Sequence, residues 1–347
     1  MKRGLRYGTL MGCAIAFIAC LLMLSSCVTT GPAPEVEEPP VKAPPKPTVF
    51  RSEDYVVVQL KGGETPEILA EKFLGDAGKS WVIEDANTGT SFRKNQRIII
   101  PLKDENIGGL SADGYQAVPI LCYHQFADAC KSKMCMPSDV FDRQMKYLKD
   151  NGYRVITFSQ LLDFLNYRRP IPKKAVLITI DDGYRSVYTH AYPILKKYGF
   201  PVTLFIYTDF AGVGRLACTW DQLREMKAGG IEIGSHSLSH ADLTKKRKGE
   251  TTNAYLERVR KELILSKKII DKKIHQDTRI FAFPYGRYNK TVMNMARKAG
   301  YDLAVSVKRG GNPFFSEPLA LKRDQILKRD IKTFTSRLNT FYKLSLR

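Results

Sequence analysis

The chain has 347 residues, 44% hydrophobic and 26% charged, which is globular composition for about two domains at roughly 150 residues each and excludes a disordered or collagen-like chain. Seven cysteines are too few to build a disulfide scaffold at this length. The net charge is +20, and residues 111–347 alone carry 42 basic against 22 acidic side chains, a surface that favours polyanionic neighbours.

In chain order, Met1–Arg6 holds three basic residues, Leu10–Leu24 is apolar and uncharged, and Ser25, Ser26 and Cys27 follow. A basic start, a short apolar core and small residues before a cleavage point predict a secretory signal over 1–26. Export argues against nucleic acid as the polyanionic partner. Leu24-Ser25-Ser26-Cys27 resembles the bacterial lipobox, which implies that Cys27 becomes the lipidated first residue of the mature chain. A membrane partner through that lipid, in a bacterial cell envelope facing the periplasm or the surface, is the expected location. The competing reading is a single membrane-spanning anchor, since the apolar run is near the lower length limit. Residues 27–50 contain seven prolines between Pro32 and Pro47 and predict a semi-extended spacer, ~3.1 Å per residue. In an oxidising compartment Cys130 and Cys135 are close enough in sequence to bridge, but only geometry decides that.

The segment 51–104 predicts a small α+β module. Tyr55–Leu60 reads as a strand by its β-branched content, Glu67–Phe73 and Trp81–Ala86 as helices with one apolar face, and Gln96–Pro101 as a closing strand. The Gly-Glu-Thr turn at 63–65 and Ile98-Ile99-Ile100-Pro101 resemble the LysM module, which implies binding of N-acetylglucosamine polymers. A spacer without ligand is the alternative.

The segment 112–347 alternates strands and helices. Strands are predicted at Val118–Cys122, Arg154–Thr157, Ala175–Ile180, Val202–Tyr207, Ile231–Gly234, Arg279–Phe283 and Leu303–Val307. Helices start at Ser138, Ser159, Thr219, about 251, Asn289 and Asp330, where capping side chains stand, and one more helix runs to Tyr198. Seven strands alternating with helices predict a distorted (β/α)7-type parallel barrel. The polar residues cluster directly after strands: His124, Asp181 and Asp182, His236 and His240, and Pro284-Tyr285-Gly286. In such a barrel, catalytic groups sit at the C-terminal ends of strands.

Two adjacent carboxylates closing the apolar run Ile178–Ile180 are costly unless something cationic faces them. On a helical turn His236 and His240 share one face, ~5–6 Å apart. Two imidazoles and a carboxylate suit one metal with open positions for water and substrate.

Thr179-Ile180-Asp181-Asp182-Gly183, Ser235-His236-Ser237-Leu238-Ser239-His240 and Phe281-Ala282-Phe283-Pro284-Tyr285-Gly286 resemble, in that order, the motifs of the polysaccharide deacetylases (NodB homology, carbohydrate esterase family 4) over about residues 115–330. The resemblance implies hydrolysis of N-acetyl groups on an N-acetylglucosamine polymer, peptidoglycan or poly-N-acetylglucosamine, with a divalent metal, most often Zn²⁺. It implies Asp181 as general base, Asp182, His236 and His240 as metal ligands, and the backbone N–H of Tyr285, after Pro284, as oxyanion donor. The family's third motif carries an arginine where this chain has Ala282, and Arg323 is the candidate to steady Asp181 instead. The family's late histidine is missing, since no histidine follows His275. Pro119–His124 resembles the N-terminal motif of the permuted subgroup acting on poly-N-acetylglucosamine, which implies His124 as general acid. A glycan-binding envelope lipoprotein that kept the fold without catalysis is the second reading, and Ala282 is the feature that leans to it.

Overall fold

Three short strands open the fold: β1 (Val49–Arg51), β2 (Tyr55–Gln59) and, after the helices α1 (Pro66–Leu74) and α2 (Ser80–Ala86), β3 (Arg97–Pro101). They form an antiparallel sheet in the order β1-β2-β3 over a small core of Val56, Val58, Leu69, Ile83, Ile98 and Ile100. Thr65 caps α1 by accepting from the Ile68 N–H, and Gly75 ends it in the left-handed conformation. The linker prediction ran to residue 50. Val49 and Phe50 instead pair with Val58 and Val57, because β2 offers them a free edge. The computed structural model describes residues 49–103 and 106–343, all within one compact unit. The predicted leader 1–26, Cys27 and the linker up to residue 48 lie outside the described residues.

The larger part contains β4 (Leu110–Ser111), β5 (Gly114–Gln116), β6 (Ile120–Tyr123), β7 (Gln125–Ala127), β8 (Cys135–Pro137), α3 (Ser138–Asp150), β9 (Arg154–Val155), α4 (Phe158–Leu165), β10 (Ala175–Ile180) and α5 (Tyr192–Tyr198). It continues with β11 (Val202–Ile206), α6 (Trp220–Ala228), β12 (Ile231–Ser235), α7 (Thr252–Ile274), β13 (Ile280–Ala282), α8 (Lys290–Lys298), β14 (Leu303–Val305), β15 (Asp324–Gln325), α9 (Ile331–Thr335) and β16 (Phe341–Lys343). The central sheet runs β14-β13-β12-β11-β10-β6-β15, with β9 on β10, and every pairing is parallel. It is the curled parallel sheet with helices that the alternation predicts. The two-residue β15 was not predicted. Leu321, just before it, pairs with Val305 of β14, and Asp324 pairs with Leu121 of β6, so this segment joins the two edges of the sheet. After α9, β16 adds to β5, in a small sheet β16-β5-β4.

Strand alternation sorts the core. Val176, Ile178 and Ile180 of β10 pack with Phe141 and Met145 of α3, Leu195 of α5 and Met226 of α6. Ala175 and Leu177 pack instead with Ile120, Phe205, Ile280, Ala282 and Val305 of the other strands, so this second set fills the interior of the curl. Two predicted caps differ. Ser138 is already the first helical residue, since Pro137 carries β8 straight into α3, and its hydroxyl donates to Asp128 Oδ1 at 3.1 Å. Thr157, not Ser159, caps α4, because Gln160 stands three residues on and completes a capping box. Cys130 and Cys135 form a disulfide.

Candidate active site

Continuing the β10 alternation past its end places Asp181 in phase with Leu177 and Thr179, on the interior side. Its backbone N–H still donates to Tyr123 O of β6 at 2.9 Å. Asp182 (φ 78°) and Gly183 (φ 79°) then turn through the left-handed region, and a Cβ at Gly183 would stand 2.9 Å from Ile206 Cγ2. The turn sends the two neighbouring carboxylates to different partners.

Asp181 is buried and gripped by Arg323, whose Nη1 and Nη2 donate to Oδ1 and Oδ2 at 2.7 Å each. Arg323 is itself fully buried. Its Nε donates to Ser306 O at 2.8 Å, its Nη1 also to Thr179 Oγ1 at 3.0 Å, and its guanidinium lies 5.5 Å from the Phe205 ring centre. It arrives on the segment that joins β14 to β6. Burial by itself pushes the Asp181 carboxyl up, but the Arg323 guanidinium, with His236 next, reverses this and holds it well below the usual carboxylate range. The Cys122 thiol, buried below, donates to Asp181 Oδ2 at 3.5 Å.

Asp182 Oδ1 lies 3.6 Å from His236 Nε2 and 3.5 Å from His240 Nε2. The ligand atoms of these three residues all fall within 4.8 Å of one another. The histidines do not share a helical turn, as their spacing suggested. Residues 236–240 are a loop after β12, folded by left-handed Ser237 (φ 73°) and His240 (φ 61°), and the two rings meet edge-on at 4.7 Å. His236 Nδ1 donates to Ala282 O at 2.7 Å. A carbonyl only accepts, so this bond fixes the tautomer and leaves the Nε2 lone pair facing Asp182. Burial pushes His236 down to about 4, and burial together with Asp181's charge pushes Asp182 up to about 7. Two imidazoles with free lone pairs and one carboxylate, converging from β10 and β12, fit a divalent cation.

His124 follows β6 and is buried, and its ring nitrogen, the Cys122 thiol and the Asp181 carboxylate lie within 4.8 Å of one another. Burial lowers it from the ordinary imidazole value, with Arg323 and His240 acting the same way and Asp181 opposing. Pro284 is buried at the start of a tight turn after β13. Tyr285 in that turn is left-handed (φ 59°) and half-exposed, its ring edge-on to His240 at 4.6 Å. Tyr207, 5.2 Å from the same imidazole, continues the aromatic wall.

The structure thus brings Asp181, Asp182, His236, His240, His124, Tyr285 and Arg323 to one end of the sheet. Sequence reasoning missed Glu262 on α7. It is buried and accepts from the Leu238 and Ser239 N–H groups at 3.0 and 2.9 Å and from the Ser239 hydroxyl, bracing the loop that carries both histidines. Its signal was an acid on the apolar face of a long helix, in step with Tyr255, Val259, Ser266 and Ile270. Cys122 had no signal beyond its position in the β6 strand.

Known proteins resemble this chain in sequence and in fold. The polysaccharide deacetylase family model matches residues 168–304. The chain is 34% identical over 223 residues to YxkH of Bacillus subtilis (strain 168), covering 64% of this chain and 73% of that protein, which is named for the same family. It is 32% identical over 175 residues to the poly-β-1,6-N-acetyl-D-glucosamine N-deacetylase of Staphylococcus aureus (strain MRSA252), covering 48% of this chain and 59% of that one. It is 24% identical to the Escherichia coli (strain K12) protein of that name and spans only 34% of its length. Among solved structures, Streptococcus pyogenes deacetylase PplD in complex with acetate superposes with a TM-score of 0.58 at 28% identity, covering 64% of this chain and 98% of that one. Motifs, fold and relatives converge, and the chain belongs to the polysaccharide deacetylase family, of the NodB-homology carbohydrate esterase fold.

Proposed function

We propose that this protein hydrolyses N-acetyl groups from N-acetylglucosamine units of an envelope polysaccharide, with a divalent cation, zinc foremost, held by Asp182, His236 and His240. One observation carries the reading: an arginine-clamped carboxylate, Asp181, stands beside three convergent donors at the C-terminal strand ends. A cation in that set supplies Lewis-acid polarisation of the acetamide oxygen and of the attacking water. Asp181, held ionised by Arg323, accepts the water proton. The Tyr285 backbone N–H donates to the oxygen that gains charge. His124 gives a proton to the departing nitrogen, which would otherwise leave as a strongly basic amide anion. The other two histidines are occupied elsewhere: His190 Nδ1 meets the Ser138 hydroxyl at 3.1 Å, and His275 ends α7.

The Staphylococcus aureus and Escherichia coli relatives named for poly-N-acetylglucosamine support that polymer. The excess of basic residues over 111–347 supports a second reading, carboxylate-bearing peptidoglycan. Cys27 lipidation would tether the enzyme to a membrane, and the 51–104 module would hold glycan near it. The decisive assay is acetate release from both polymers, side by side, with and without chelator. We expect chelator-sensitive release, faster on poly-N-acetylglucosamine. No release from either polymer by zinc-loaded protein would leave the non-catalytic, glycan-binding lipoprotein as the correct reading.

A further inference from the structure

We infer that the barrel carries a second glycan-binding site, at the end of the sheet opposite the catalytic one, built on Tyr115, Tyr342 and Phe315. The inference rests on the polysaccharide reading above for the identity of the ligand.

Register fixes the location. Asn312 and Val118 exchange backbone hydrogen bonds at 3.0 Å in an isolated antiparallel bridge, just before β6 begins, whereas His124 follows its far end. At ~3.3 Å per residue the two levels stand ~20 Å apart. The loop 309–317, which leaves β14 on the catalytic side, has by then crossed to the other end.

There Tyr115 of β5 and Tyr342 of β16 pair directly across the strands, with rings stacked 5.8 Å apart and 16° from parallel. Phe315 meets Tyr115 edge-on at 5.3 Å and is 61% exposed. These rings line a cavity of about 570 Å³, within the range of ligand pockets. Two glycines keep it open. A Cβ on Gly311 would stand 3.1 Å from the Tyr342 ring, and one on Gly310 (φ 136°) would stand 3.0 Å from Lys322 Cδ. Arg309, Lys322, Ser316 and Glu317 complete the wall. Donors and an acceptor therefore surround aromatic surface. A pyranose ring has the matching chemistry: a C–H face that lies on an aromatic ring and a rim of hydroxyl and acetamide groups that donate and accept. Arg309 and Glu317 are already ion-paired with Asp324 and Arg297 at 3.2 and 3.0 Å, so the wall presents polar groups with little uncompensated charge, which suits a neutral sugar better than a polyanion. Holding one stretch of polymer here raises the local concentration of the chain for the catalytic end without taking part in the chemistry.

The test uses the full-length protein and a soluble N-acetylglucosamine hexamer, in β-1,4 and β-1,6 linkage. Hydroxyl-radical footprinting should show protection of Phe315 and Tyr342. Phe315→Ala, at a solvent-facing position, should remove protection at Tyr342 and lower retention on insoluble polymer by ~10-fold or more. Its turnover of a short soluble oligomer should stay within about two-fold of the parent. No protection at Tyr342 in the parent protein, or equal protection in Phe315→Ala, overturns the inference. The two readings fail separately. Acetate release with a blank footprint removes only this site, whereas a footprint without acetate release removes the hydrolase reading and keeps the glycan site.

Discussion

Arg323 and Asp181 form a fully buried pair, so removing either partner strands the other. Arg323→Ala should cost about 3–5 kcal/mol in stability, measured by denaturant unfolding. Arg323→Lys keeps the charge but cannot bridge both carboxylate oxygens. It should fold and lose kcat, and a Lys variant with parental kcat would show that the fork is not needed. His124→Ala should keep fold and metal while kcat falls ~10²–10⁴-fold; a structural role would show itself as lost stability first. The proposed metal ligands make a pH prediction. Asp182 binds its proton up to about pH 7, whereas His236, pushed down to about 4, and His240, also lowered by burial, stay neutral there. Coordination requires the carboxylate, so a cation must displace that proton. Zinc affinity should rise with pH up to about 7 and then level off as far as Asp182 is concerned. Titration calorimetry in buffers of different ionisation enthalpy should count close to one proton released per zinc below that pH.

At the scale of elements, α7 acts on the chemistry without touching it. Glu262→Gln keeps the shape of the side chain but loses the charge that collects two N–H groups and a hydroxyl from the histidine loop. Its zinc affinity should fall ~10–100-fold, and unchanged affinity by competition with a chromogenic chelator would reduce Glu262 to a helix-packing residue. The same elements show what a sequence reader can see. The histidines and aspartates stand just after apolar strands, so local pattern alone puts them at strand ends, and β10 and α7 are readable from burial period and caps. The loop conformation at 236–240 is not readable, because two left-handed non-glycine residues are set by tertiary bonds such as Glu262's. Arg323 lies 142 residues from the carboxylate it holds. The sequence offered it only as a replacement for the arginine missing at Ala282, and no periodicity points from one to the other. β1 was hidden by its proline-rich neighbours, and β15 is too short to carry a pattern.

For the whole molecule, the proposed anchor gives a prediction independent of the active site. Multiple acyl chains anchor stably, whereas one binds marginally. Cys27→Ser should leave an unprocessed or unlipidated precursor, and intact mass of the native protein should show lipid on Cys27. An unmodified Cys27 thiol there would favour the spanning-anchor alternative.

The joining segment at Leu321–Gln325 also sets an order of events. A chain growing from its N-terminus has all three motifs, both histidines and both aspartates in hand by residue 286, yet Asp181 has no guanidinium until Arg323 follows, and β14 and β6 are joined only by the segment that carries it. Competence waits for Arg323. A truncation near residue 320 would yield a protein with every motif of the family and its proposed base, Asp181, without the guanidinium that clamps it.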